Sequence, residues 1–444
     1  YKDSDRRFEV SFGISGVFLE QAQRWVPEVV ELFQDLIATE AVELVAQTYY
    51  HSIASLIPDR NEFEDQVKEH MDLIKSLFGV TPSAVENTEF IYNNDIACHL
   101  HSMGFKVILT EGVDWVLGWR SPNFVYRSYV CDVRVLTRNY RLSDDVGFRF
   151  SNITWDKYPL TADKYSSWIA ATPGDVVFIA MDYETFGEHH WPETGIHEFL
   201  RWLPSEVLKY QYVRFSTPTK AALSHPAVDV YDVPPWQTIS WADERDVSAW
   251  FGNDLQKTAF NMLIELKRYI EALGDPDLWR LWKLLTISDH LYYMATKFGS
   301  FEEVHKYFSP YKNAVDAFAL FVEAISMLFL KVAEKIQKNP KVAANIRLPP
   351  EKGFHFVCIE EGIPPITATT IKEFLWVAKS IPTECFIKYL VRGDVQMWFR
   401  EVFFLDDLAN ALDDIAASDE YAEKKHKMAL AAITKHLSLD TEVT

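Results

Sequence analysis

Only four of the 444 residues are cysteine, Cys98, Cys131, Cys358 and Cys385. No two have metal-ligand spacing, and at this density a disulfide framework is not expected. Free, mostly buried thiols in a reducing compartment are the expectation, which places the chain in the cytoplasm. A membrane-length apolar run is also missing. The longest candidate, Ala317–Leu330, is interrupted by Glu323 and Ser326 and reads as a buried helix, so no membrane partner is expected. There is no signal-peptide pattern at the start, where a polar lead, Tyr1–Arg7, runs straight into a strand. Positive charge is in deficit: Lys and Arg total 44 against 64 Asp and Glu, a net −20 that excludes nucleic acid as a partner. Internal repeats and low-complexity tracts are absent.

What is abundant is aromatic. Fourteen Trp, 20 Tyr and 30 Phe in a chain that is 48% hydrophobic predict globular packing in two or three domains. Large aromatic cores and aromatic-lined clefts both remain open. Residues 8–210 alternate strand and helix. Strands are expected at Phe8–Gly16, Ala41–Tyr50, Ser83–Phe90, Phe105–Thr110, Val133–Asn139 and Asp175–Met181. Helices are expected at Val17–Thr39, Glu62–Phe78 and Asn93–Met103, with Gly79 and Gly104 closing the last two. Repeated β–α units imply a parallel sheet, open or closed into a barrel, with ligands at the carboxyl ends of its strands. A Pro- and Trp-rich connection spans 211–250. Helices are expected over Leu255–Leu273, Asp277–Lys297 and Phe301–Lys338, as a bundle. After a proline-rich linker the pattern restarts with strand Phe354–Ile359, helix Thr370–Ser380, strand Cys385–Leu390 and helices Gln396–Phe403, Asp406–Ala417 and Glu420–Leu437. Thr370-Ile-Lys-Glu373 has the form of a capping box.

Chemistry concentrates in Met181-Asp-Tyr-Glu-Thr-Phe-Gly-Glu-His-His-Trp-Pro192. A core strand that ends in Asp182, Glu184, Glu188, His189, His190 and Trp191 suits a sugar-processing site, where carboxylates move protons or attack carbon and a ring stacks on the sugar face. The structural alternative makes Asp182 a helix N-cap and Glu184 a first-turn acid. A second segment, Val85-Glu-Asn-Thr-Glu-Phe90, puts Glu89 after a strand, where it is a site acid or an ordinary loop acid. A third, Thr110-Glu-Gly-Val-Asp-Trp-Val-Leu-Gly-Trp119, puts Glu111 at a strand end, with Trp115 and Trp119 four residues apart as platforms or core residues. His189-His190 lacks a third metal ligand, so no metal is expected.

These segments together resemble glycoside hydrolase family 57, specifically its α-amylase-like members, over residues of about 8–340. Asp182-Tyr-Glu-Thr-Phe-Gly-Glu-His189, with Trp191 beyond, looks like the family motif that carries the acid/base, which maps onto Asp182. Val85-Glu-Asn-Thr-Glu89 looks like the nucleophile motif, which maps onto Glu89, with Glu111 ranked behind it as a site-lining acid. Ala41-Val-Glu-Leu44, followed by Thr48-Tyr-Tyr-His-Ser52, looks like the motif with a substrate-contacting glutamate, here Glu43. Ile287-Ser-Asp-His-Leu-Tyr-Tyr293 looks like the last motif and implies that Asp289 and His290 reach the sugar. Trp115, Glu184, His189 and Trp191 complete the expected substrate contacts. The family's first motif, a His-Gln-Pro at the end of the first strand, does not occur; the chain begins where that strand would already have passed.

The resemblance implies an α/β fold: an incomplete (β/α)7 barrel over 1–250, then a helical bundle over 251–340 that completes the active site. A small α+β accessory domain over 350–444 lies outside it. It also implies retaining hydrolysis of α-1,4-glucans without a cofactor, with an α-glucan or maltooligosaccharide as the partner molecule. Retention requires the two carboxyl groups about 5–5.5 Å apart. The alternatives are 4-α-glucanotransfer, in which a second glucan intercepts the intermediate, and a catalytically silent glucan-binding protein.

Overall fold

The computed structural model describes residues 7–296 and 309–439. By contacts the chain divides into two compact units, Tyr1–Asn253 with Thr286–Ala295, and Asp254–Leu285 with Thr296–Thr444.

The first unit is built on short strands. β1 (Val10–Gly13) pairs in parallel with β2 (Val42–Val45). A five-stranded sheet contains β3 (Ala84–Glu86), β4 (Val107–Glu111), β5 (Val125–Ser128), β6 (Arg134–Arg138) and β7 (Asp229–Tyr231), in the order β3-β4-β6-β5-β7. A single parallel bridge, Ala46 to Val85, joins the two sheets. The parallel β3–β4–β6 pairing follows from the alternation in the sequence. β5 and β7 fall in segments not read as strands, and β5 runs antiparallel to β6 because only a short connection separates them. Among the described residues no pairing links β1 to β7, so the array is open rather than a closed barrel.

Two expectations in this unit need correction. The run Asp175–Met181 is not a sheet strand. It is extended, with Val176, Phe178 and Ala180 packing on one core cluster and Val177, Ile179 and Met181 on another. That is the period of two of a strand, but among the described residues its one backbone pairing with a sheet strand is the bridge from Phe178 to Arg138. The expected helix Val17–Thr39 is two helices, Gly16–Trp25 and Pro27–Ala38, because Pro27 has no N–H to continue the ladder and instead starts a new helix.

Elsewhere the local chemistry behaves as read. Asp59 caps helix Arg60–Phe78, which ends at Gly79 in the left-handed region. Asn93 Oδ1 accepts from Ile96 N at 2.9 Å and starts helix Asn94–Ser102. The sheet core is Val45, Ala84, Phe90, Val107, Leu109, Val125 and Leu136. Glu89 follows the carboxyl end of β3, and Glu111 is the last residue of β4.

In the second unit, helices Asp254–Leu273, Pro276–Leu284 and Ala314–Lys338 carry the expected bundle pattern. The expected helix Asp277–Lys297 is cut short: it stops at Leu284, and a separate turn, Ser288–Tyr292, belongs to the first unit. The part of the third expected helix at 301–308 lies outside the described residues. Beyond the linker, β8 (Phe354–Cys358) and β9 (Ile363–Ala368) form an antiparallel hairpin. Cys385–Leu390 is helix rather than strand. It lies within Thr383–Arg392, where Cys385, Phe386, Tyr389 and Leu390 are buried at helical spacing. A short apolar run does not by itself separate the two structures. The capping box is present: Thr370 Oγ1 accepts from Glu373 N at 3.1 Å, while Glu373 Oε2 accepts from Thr369 N, one residue earlier than expected, at 2.8 Å. Cys358 and Cys385 are disulfide-bonded, with Cα atoms 5.9 Å apart, whereas Cys98 and Cys131 are free thiols. The expectation of four free thiols therefore fails for one pair. The bonded cysteines are 27 residues apart in sequence, and only the packing of the hairpin on the helix brings them together.

Candidate active site

Glu89 stands three residues past the end of β3 with its backbone in the left-handed region, φ 61, followed by Phe90 at φ 51. Such geometry costs on the order of 1–3 kcal/mol for each non-glycine residue and persists only where neighbours impose it. Here Trp241 imposes it twice. Its backbone N donates to Glu89 O at 3.2 Å, and its indole Nε1 donates to Glu89 Oε2 at 2.7 Å. The Trp241 ring also meets Phe90 edge-on, with centroids 5.1 Å apart. The other carboxylate oxygen, Oε1, accepts from Ser288 Oγ at 3.0 Å and lies 3.4 Å from His51 Nε2. Burial alone would push the Glu89 carboxyl up, but His51, Trp241 and Ser288 together hold it below the ordinary value. Burial pulls His51 down, but Glu89, Asp289 and Glu86 outweigh it and raise the imidazole to about 9. At neutral pH the pair is an ionised carboxylate beside an imidazolium.

Asp182 is in the opposite condition. It precedes a single 3₁₀ turn, Tyr183–Thr185, and its side chain accepts no capping hydrogen bond from that turn, so the N-cap alternative does not apply. Its surface is open to water, yet protein surrounds it. Desolvation, then the charges of Glu184 and Glu89, push its carboxyl up to about 7. Asp289 is also raised, by desolvation first and then by Glu89 and Glu184, against His51. Glu89, Asp182, Glu184, Asp289 and His51 therefore act on one another in one site, although they come from four separate segments of the chain. Glu86, the last residue of β3, joins them. Burial lifts it to about 7, against His51 and with Glu89. Gly13 at the end of β1 is glycine because a Cβ there would overlap the Glu86 carboxylate.

The remaining expected residues divide. Trp115 and Trp191 are 53% and 59% exposed, open to a ligand rather than packed in a core. His189 is half-buried, with its imidazole lowered by desolvation against Glu184 and Glu188, and His290 is half-buried on the Ser288–Tyr292 turn. His190 is buried, with Nε2 2.9 Å from Val146 O and Nδ1 2.8 Å from Ser151 Oγ; it braces the loop.

Two acids are placed where the sequence reading did not put them. Glu111 does not line the cavity. Its side chain is fully buried, with Oε2 2.9 Å from Arg138 Nη1 and 3.1 Å from Arg245 Nη1, and Oε1 accepting from Gly112 N at 2.7 Å. Glu111 faces Arg138 because the two are register partners across β4 and β6. Glu43 is taken up by a helix start: its carboxylate accepts from Thr219 N at 2.9 Å and from Thr219 Oγ1, at the first turn of Pro218–Ser224.

His51, Trp241, Ser288, Glu86 and Arg138 were not singled out from the sequence. Arg138 carried a readable signal, since a charged residue ending a core strand is the same anomaly that drew attention to Asp182. For His51 the signal was its place in Thr48–Ser52, just past β2. Among the described residues no group of three or more His, Cys, Asp or Glu could hold a metal ion, and no helix is long and apolar enough to cross a membrane.

Glu89, held below its ordinary value, and Asp182, raised to about 7, act on each other in one cluster of acids, and two carboxyl groups so separated by their surroundings can supply a nucleophile and a proton donor. The family model described as Glycosyl hydrolase family 57 matches residues 2–234. A Methanocaldococcus jannaschii protein named "Putative alpha-amylase" is 44% identical over 342 residues, 75% of this chain and 73% of its own length. The chain belongs to glycosyl hydrolase family 57. A Pyrococcus horikoshii protein named "Alpha-amylase" is 25% identical over 197 residues, 43% of this chain and 29% of that protein. Among solved structures, the fold is similar to a 4-alpha-glucanotransferase from Thermococcus litoralis, with a TM-score of 0.53 at 16% identity over 64% of this chain and 49% of that one. It is also similar to a branching enzyme of the same family from Pyrococcus horikoshii, with a TM-score of 0.52 at 14% identity over 77% and 81%.

Proposed function

We propose that the chain is a retaining glycoside hydrolase acting on α-1,4-glucans, with Glu89 as nucleophile and Asp182 as acid/base, on what is read as an incomplete (β/α)7 barrel. The observation that carries this reading is the divergence of the two carboxyl groups: Glu89 is held below its ordinary value while Asp182 is raised to about 7. A nucleophile must be ionised and a general acid must hold a proton, and enzymes separate the two by environment.

In the first step a Glu89 oxygen attacks the anomeric carbon. The bond to the leaving oxygen breaks, and that oxygen takes the proton from Asp182. The product is a glycosyl ester on Glu89 and an ionised Asp182. In the second step Asp182 takes a proton from water, the water oxygen attacks the same carbon, and the ester bond breaks to restore Glu89. His51 and the Trp241 N–H stabilise the carboxylate as it leaves in this second step. Trp115 and Trp191 are the proposed sugar platforms, with Glu184, Asp289, His189 and His290 as polar contacts.

Maltoheptaose is the substrate that tests this. Shorter products alone indicate hydrolysis. Longer products indicate glucan transfer, and binding without turnover indicates a silent protein. A Glu89→Gln variant should lose on the order of 10³-fold or more in kcat; one that retains full activity refutes the nucleophile assignment.

A further inference from the structure

We infer that Arg138 is a positioning residue shared by both catalytic carboxylates: it anchors the backbone leading into Asp182 and carries the indole that holds Glu89. The inference rests on the roles proposed for those two acids. Arg138 ends β6 and is 3% exposed. All three of its guanidinium nitrogens are committed. Nε donates to Ala180 O at 2.7 Å, two residues before Asp182. Nη1 donates to Glu111 Oε2 at 2.9 Å and Nη2 to Asp144 Oδ1 at 2.6 Å. The guanidinium face lies against Trp241, with Cζ 5.6 Å from the ring centroid, and that ring donates to Glu89 Oε2 at 2.7 Å.

The loop carrying Trp241 is tied to the same point. Arg245 donates to Trp241 O and, at 3.1 Å, to Glu111 Oε2, and its Nη2 lies 3.9 Å from Asp144 Oδ2. Two arginines therefore face two acids, Glu111 buried and Asp144 partly buried, a balanced cluster rather than a stray charge. Its geometry matters because Phe178–Ala180 is secured by one bridge, by Arg138 and by Ser143 Oγ, which accepts from Ala180 N at 3.2 Å, not by a ladder. Lysine would supply one point charge in place of a planar fork with a stacking face, so it is not an equivalent.

The test uses the full chain with Arg138→Lys, Arg138→Gln and Trp241→Phe. The readouts are kcat and KM on maltoheptaose across pH, melting temperature, and carboxyl titration by ¹³C NMR with the side chains labelled. Signals are assigned with Glu89→Gln and Asp182→Asn. The charges facing Glu89 (His51, Glu86, Asp182 and Asp289) are kept in Arg138→Lys, Arg138→Gln and Trp241→Phe; of those facing Asp182, Glu184, Glu89 and His51 are kept, while Arg138 itself lowers Asp182 and its charge is lost only in Arg138→Gln.

Trp241→Phe keeps a ring over Arg138 and removes only the N–H. It should move the Glu89 titration to higher pH, leave that of Asp182 in place, and lower kcat on the order of 10- to 100-fold with KM little changed. Arg138→Gln should move both titrations to higher pH, that of Asp182 in part through the lost charge; Arg138→Lys, which keeps the charge, should still move the Glu89 titration and should not restore kcat. A purely structural Arg138 would lower the melting temperature and leave both titrations where they are, which overturns the inference. If Arg138→Gln does not fold, Trp241→Phe decides: an unmoved Glu89 titration breaks the link and the inference with it. The titrations require no turnover, so a wild type inactive on glucan would refute the proposed function while Arg138 is still judged.

Discussion

Replacing His51 with asparagine removes the charge beside Glu89 while keeping a polar side chain of similar reach. Folding raises His51 from 6.5 to about 9. At full value that gap corresponds to about 3.4 kcal/mol. The side chain is 41% exposed, and solvent screening reduces the contribution to about 1–2 kcal/mol. A histidine whose value rises on folding stabilises fully below its unfolded value and loses that contribution as pH rises through about 9. Glu89 is lowered on folding, so its contribution is present above its ordinary value and lost as pH falls. The pair therefore acts between roughly pH 5 and pH 8. His51→Asn should be less stable than the wild type at pH 7, and the difference should close at pH 10, where the wild-type imidazole is already neutral. Without the imidazolium, burial acts on Glu89 less opposed, so the acid limb of kcat/KM should move to higher pH. Thermal unfolding followed by tryptophan fluorescence at both pH values, with a pH profile of maltoheptaose cleavage, measures each effect. An equal stability loss at pH 7 and pH 10, with an unmoved acid limb, would refute the argument that His51 acts on Glu89 through charge.

Asp182→Asn should lower kcat on maltoheptaose on the order of 10²- to 10⁴-fold and much less on a dinitrophenyl maltooligoside, whose leaving group needs no proton. The wild-type alkaline limb, expected near pH 7 from Asp182, should vanish with it, and a limb that survives unchanged contradicts the acid/base role. Glu43→Gln should cost about 1 kcal/mol of stability through the Thr219 helix start and leave KM unchanged; a tenfold rise in KM would return Glu43 to the substrate. Cys385→Ser opens a loop of 27 residues and should cost about 3.5 kcal/mol on the chain-entropy relation, seen as a lower melting transition with no change in KM.

The segment at Asp182 was legible in the sequence because it breaks a rule of ordinary folding: an apolar run that ends in acids declares itself by residue type alone. Glu89, by residue type an ordinary loop acid, stood out only through the family resemblance, whereas the helix starts at Asn93 and Thr370 were legible because the capping residue acts on its nearest neighbours. Glu111 passed the same test of type and Glu43 came from the resemblance, yet one is buried against two arginines and the other holds a helix start. His51, Trp241 and Arg138 gave weaker signals because their partners lie far away in the chain.

The sequence alone determined the alternating β–α order, the acids at the strand ends and the family. Local spacing and short-range hydrogen bonding are written into consecutive residues. The tertiary structure decided which acid is ionised, which is raised and which is spent on a brace. Those outcomes depend on desolvation and on polar and charged groups a few ångströms away, supplied by distant segments, as Ser288 is 199 residues from Glu89. It also decided that Asp175–Met181 pairs with the sheet through one bridge rather than a ladder, because strand pairing depends on the neighbour across the sheet and not on the run itself.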